Sequence, residues 1–179
     1  MSSHTVTKTT TATTSVEERI KVNTGMGYDT WSSLAAIKAQ LREFMEDTGD
    51  GRREFEYRGY MCCVVYNREY GNFCGYLPAL QELSKNMSLI IALETASKVH
   101  GGLTHSTGFD CANGDDLKVP VYCKTYEEYL ATNRSIFQSS AQDGRPAKTF
   151  KSETFVAMEL RRMVDCLIKL TDEKVGDKK

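Results

Sequence analysis

Between His100 and Asp116 the chain gathers two of its three histidines and three carboxylates, Asp110, Asp115 and Asp116, among glycines and hydroxyls. Titratable groups at this density suit a ligand pocket or a catalytic centre. Imidazole takes and gives a proton near neutral pH. His100 is therefore a candidate general base or acid, with Asp110 or Asp115 to orient it or to bind a divalent metal. The glycines Gly101, Gly102, Gly108 and Gly114 let a ligand approach the backbone, whose N–H groups can hold anions. A metal site built from His100, His105 and Asp110 meets an obstacle, because positions five apart on an unbroken strand face opposite sides, so Gly101-Gly102 would have to reset the register. No cofactor and no resident metal is expected. Plainer readings compete: a turn histidine that satisfies a carbonyl, and Asp115-Asp116 closing a loop before Pro120.

The surrounding elements must position these groups. Trp31, Leu34, Ile37, Leu41 and Phe44 recur at steps of three and four, predicting a helix that is capped by Asp29 or Thr30 and ends near Gly49. After a polar turn at 48–53, residues 55–66 read as two strands separated by Arg58-Gly59, and 73–77 return antiparallel after a loop at 67–72. A short helix fits 79–88, while the apolar run 89–93 fits strand or helix. Segments 103–106 and 108–112 are strand-like pieces broken by glycine. Thr125 with Glu128 forms a capping-box pattern opening a helix that carries Tyr126, Tyr129, Leu130, Ile136 and Phe137. Residues 139–146 read as loop. A last helix from about Ser152 has an apolar stripe of Phe155, Val156, Leu160, Met163, Val164, Leu167 and Leu170, with Arg161, Arg162 and Lys169 on a solvated face. The expected fold is α+β, an antiparallel sheet packed against two to four helices. The expected division is a mobile Thr-rich leader at 1–15, a single α+β domain at 16–172 and a polar tail at 173–179.

Composition excludes several classes. The 179 residues suffice for one domain with a real core. The 23 basic and 24 acidic residues nearly cancel and form no basic stripe, so a nucleic-acid polymer is not the expected partner. No apolar run approaches a bilayer span, and the N-terminal 15 residues have no apolar signal core, so a cytoplasmic protein is expected, in the host cell if phage-encoded. The six cysteines include no CxxC pair. Adjacent Cys62 and Cys63 point to opposite faces of a strand. Cys62, Cys63, Cys123 and Cys166 are expected as reduced, small buried hydrophobes.

The blocks Glu54-Phe55-Glu56-Tyr57-Arg58-Gly59-Tyr60, Cys74-Gly75-Tyr76, His100-Gly101-Gly102-Leu103-Thr104 and Gly108-Phe109-Asp110-Cys111-Ala112, in this order, resemble a family of uncharacterised small proteins found mainly in bacteriophages. The likeness covers about 55–116 and a helix behind it. Family members usually read GFDCAH with an Asp close behind, so Asn113 stands where a histidine is expected, and His105 stands where an aromatic residue is frequent. The resemblance implies a phage accessory protein. Such proteins often act against host defences that signal through cyclic nucleotides or ADP-ribose derivatives.

Three functions compete. In the first the protein sequesters a small anionic ligand of nucleotide type. His100, Thr104, His105, Asp110, Asn113 and Asp115 hold it, Tyr60 or Tyr76 (or Tyr57) stacks on a base, and Arg58 or Arg68 meets phosphate. In the second, His100 and Asp110 make it a hydrolase or phosphodiesterase acting on such a nucleotide. In the third, the glycine-rich segment presents a protein-binding loop. Asn113 tilts the order toward binding, because an amide hydrogen-bonds a ligand but exchanges no proton near neutral pH. Self-association is left open.

Overall fold

The computed structural model describes residues 19–112, 116–143 and 148–176; the expected leader, Asn113, Gly114 and Asp115 therefore lie outside the described residues. In chain order these residues form β1 Arg19–Asn23, β2 Asp29–Ser33, α1 Leu34–Thr48, β3 Arg52–Tyr57, β4 Tyr60–Asn67, β5 Asn72–Tyr76, α2 Leu80–Leu83, α3 Met87–Ser97, β6 Gly108–Asp110, α4 Tyr126–Thr132, α5 Arg134–Asp143, β7 Phe150–Lys151 and α6 Glu153–Gly176.

The predicted meander of β3, β4 and β5 is present, and β6 pairs with β5 to extend it to a four-stranded antiparallel sheet. Arg58 and Gly59 turn β3 into β4 with φ of 50° and 82°. With both central residues at positive φ this is the type I′ hairpin turn, and the glycine supplies one of those positions without steric cost. A second sheet, β2-β1-β7, pairs β1 antiparallel with β2 and parallel with β7. α6 lies across β4 and β5 and against α3. Its Phe155, Val156, Leu160, Met163, Val164 and Leu167 are buried as expected, each contributing about 1.5–3 kcal/mol of burial. The fold is α+β with helices packed on sheets, and no helix among the described residues is long and apolar enough to cross a membrane.

Several boundaries differ from those expected. The first helix begins at Leu34 and is capped by Ser33, whose Oγ accepts the Ala36 N–H at 3.2 Å. Trp31 instead sits opposite Lys21 in β2, exposed; its three-residue spacing from Leu34 imitates a helix turn across a strand–helix junction. The open segment 89–93 is helical, because the Asn86 side chain accepts the Leu89 N–H and Leu89 and Leu93, four apart, are both buried. The Thr125 cap holds: its Oγ1 accepts the Glu128 N–H at 3.2 Å, while a Glu128 carboxylate oxygen accepts the Lys124 N–H. The cap opens two helices in place of one, and the second runs into the expected loop as far as Asp143.

The break falls at fully buried Asn133. Its amide donates to the carbonyls of Lys118 and Tyr129, and its oxygen accepts the Lys118 N–H at 2.8 Å. An Asn133→Ala variant should strand these groups, at about 1–3 kcal/mol for each left unsatisfied. Its urea midpoint should fall with an unchanged m-value.

All six cysteines are free thiols, five of them buried and Cys166 partly so.

Candidate functional site

The turn after α3 is shaped around His100. Lys98 ends the helix in left-handed geometry, and Gly101 and Gly102 follow with φ of 71° and 80°. A carboxylate oxygen of Glu94 accepts the Leu103 N–H at 3.1 Å, and a Cβ on Gly102 would lie 2.7 Å from that oxygen. From α6, Glu159 accepts the His100 backbone N–H at 2.9 Å, and Arg162 donates both to Glu159 and to the Lys98 carbonyl. Carboxylates from two helices thus hold the turn, Glu159 at His100 and Glu94 at Leu103.

The His100 ring is fixed as well. Its Nε2 lies 2.9 and 2.7 Å from the two oxygens of Asp116, which is 1% exposed. The ring meets Phe155 edge-on at 5.3 Å. Asp116 is held where its chain bridges Thr149 just ahead of β7, with Leu117 N–H on the Thr149 carbonyl. One residue into that strand, Lys151 brings its ammonium to 3.9 Å from Asp116, over the Phe155 ring and onto the Thr149 hydroxyl. With Asp116 accepting from Nε2, neutral His100 carries its proton there and presents the Nδ1 lone pair, for which no hydrogen-bond partner exists among the described residues. The side chain is about a quarter exposed. Cys111, buried near Asp116, has its thiol pushed well up, first by burial and then by the Asp116 charge. It stays protonated and offers no thiolate nucleophile.

The other predicted residues assemble elsewhere. His105 closes a tight turn with Gly108, stacks on Tyr76 at 5.8 Å and lies 3.8 Å from an Asp110 oxygen. Thr104 accepts the Asp110 N–H at 3.1 Å. The Tyr76 phenol is pushed up to about 12, chiefly by burial and then by Cys74. The two histidines therefore take different carboxylates, and the partner of His100 is Asp116 rather than Asp110. The postulated His100, His105 and Asp110 metal triad is not formed, and no group of three His, Cys, Asp or Glu side chains among the described residues could hold a metal.

Arg58 and Tyr60 sit at the β3–β4 hairpin. Arg58 pairs with Asp165 at 2.7 Å, and that hydrogen bond raises its pKa further. Tyr57 donates to the same carboxylate, and Tyr60 packs against the core. Asp165 lies six residues beyond Glu159 on α6, about 9 Å along the helix. Arg58 thus has a carboxylate partner well away from His100, and Arg68 donates to the Gly49 carbonyl.

Residue types alone present Asp116 as a loop end and Arg162 as a solvated charge, and they do not single out Lys151, Glu159 or Glu94. One signal is present in the sequence: Glu159 interrupts the α6 apolar stripe between Val156 and Met163, where a carboxylate needs a partner. Arg161, expected on the solvated face, covers the rings of Phe55 and Tyr57.

Comparison of the chain with protein-family models, with curated proteins and with solved structures finds no match. The site is defined by its geometry.

Proposed function

We propose that His100 and Asp116 form a proton-transfer centre acting on a small anionic ligand, a hydrolase or phosphodiesterase of nucleotide type. The carrying observation is the buried Asp116 carboxylate on Nε2 of a histidine whose Nδ1 is unpartnered among the described residues. A carboxylate in this position sets the tautomer and stabilises the imidazolium formed when the ring takes a proton. Pure retention of a ligand requires no such support. The phage resemblance supplies the ligand class, a nucleotide immune signal, and the setting, an accessory protein that counters host defence.

Sequestration without turnover is the second reading, favoured by Asn113 at the place where the resemblance expects a histidine. One experiment separates them. The purified protein is incubated with a panel of cyclic nucleotides and ADP-ribose derivatives, then heated, and the released small molecules are identified. Cleaved product is the expected result. Intact ligand recovered in stoichiometric amount selects sequestration, and neither product nor retained ligand removes both. For the enzyme, His100→Gln should lower turnover roughly 10²–10⁴-fold, the usual contribution of a positioned acid or base. Its melting temperature reports whether the fold survives.

A further inference from the structure

On the other side of β7 from Lys151 lies a cleft of about 400 Å³, open to solvent at Glu43 and Asp47, that shares no lining residue with the His100 centre. Its volume lies in the range of small-molecule sites. The floor is apolar and aromatic, from Phe44, Phe73 and Phe150. Thr30 and Ser32, two apart and so on one face of β2, bring hydroxyls to the wall. The ionisable lining is three carboxylates, Glu43, Asp47 and Glu153, against one guanidinium, Arg53.

Arg53 shows how this cavity treats a cation. Its guanidinium lies over the Phe44 ring at 4.9 Å and is gripped by Glu153 at 2.6 Å and Asp47 at 3.4 Å. Aromatic face and carboxylate together are the general means of holding organic cations. The resident guanidinium pairs with Glu153 and Asp47, and Glu43 adds a third carboxylate to the lining. An anion entering here would face net negative charge over an apolar floor, whereas a cation with several N–H donors would find both charge and acceptors.

We propose that this cavity binds a small organic cation, an alkylammonium or guanidinium compound of short-polyamine size, held by Glu43, Asp47 and Glu153 above the aromatic floor.

The test uses the full chain with spermidine and agmatine as probes, by titration calorimetry at constant ionic strength, with inorganic phosphate as the opposite-charge control. Saturable binding of at least one amine is expected, with no phosphate binding at this cavity. At about ten times the dissociation constant, the amine should raise the melting temperature by roughly 3–6 °C. Glu153→Gln with Asp47→Asn should weaken amine binding at least tenfold. Because those changes also release Arg53, Glu43→Gln provides a second variant that leaves the Arg53 pairs intact, and it should weaken binding as well. No heat of binding at millimolar amine, or unaltered affinity in both variants, would overturn the proposal. His100→Gln should leave amine affinity unchanged, so failure here is distinguishable from failure of the proton-transfer reading.

Discussion

An Asp116→Ala variant should lose about 3–5 kcal/mol of folding stability, the usual result of removing one member of a buried charged pair. Asp116 is 1% exposed and faces His100 Nε2 and the Lys151 ammonium, itself largely buried. Without it the largely buried lysine charge loses its counter-ion and the His100 ring N–H its acceptor. Against a typical total of about 5–15 kcal/mol, this is a large share. Urea unfolding would read it directly as a lower midpoint. Asp116→Asn keeps an oxygen for Nε2 but no charge, so it should recover part of the stability. Its turnover should stay low, because a neutral amide does not stabilise an imidazolium. Should the alanine variant unfold at the wild-type midpoint, Asp116 would not be the anchor of this centre.

A Gly108→Ala variant should be destabilised by at least about 3 kcal/mol, the upper end of ordinary overpacking costs. The cause is space: an added Cβ would lie 2.0 Å from the Gly75 carbonyl oxygen and 2.9 Å from the Tyr76 ring. The first neighbour is backbone, so relief requires β5 and β6 to separate. That would unseat Phe109, fully buried beside Gly75, where even one Cβ would come within 2.6 Å of its ring. A melting temperature lower by roughly 6–12 °C would follow. A melting curve superimposable on wild type would mean that β6 is not docked on β5.

The elements built from local contacts were legible. The Arg58-Gly59 break in the strand pattern marks the hairpin, the Thr125 hydroxyl marks a helix start, and the α6 stripe marks its buried face. The β1–β7 pairing was not, since it joins Val22 to Phe150 in parallel across most of the chain, and two-residue β7 carries no pattern of its own. The hairpin half of that sheet was readable in principle: buried Ile20 and Val22 alternate along β1. The helix break at Asn133 was hidden because its cause is Lys118, fifteen residues away.

For the site, residue types alone singled out the glycine-broken segment and placed His100 at its head, because Gly101-Gly102 and the imidazole carry their meaning in their own chemistry. Which carboxylate His100 would receive was decided by the tertiary structure. From residue types alone Asp110 or Asp115 is the expected partner, and Asp116 reads as the end of a loop. Asp110 was taken into the turn with Thr104 and His105, while the bridge from Asp116 to Thr149 brought its carboxylate under the ring and beside Lys151. A hydrogen bond depends on where two backbones are held, and here that is settled by β7 and α6, elements joined to this segment only by folding.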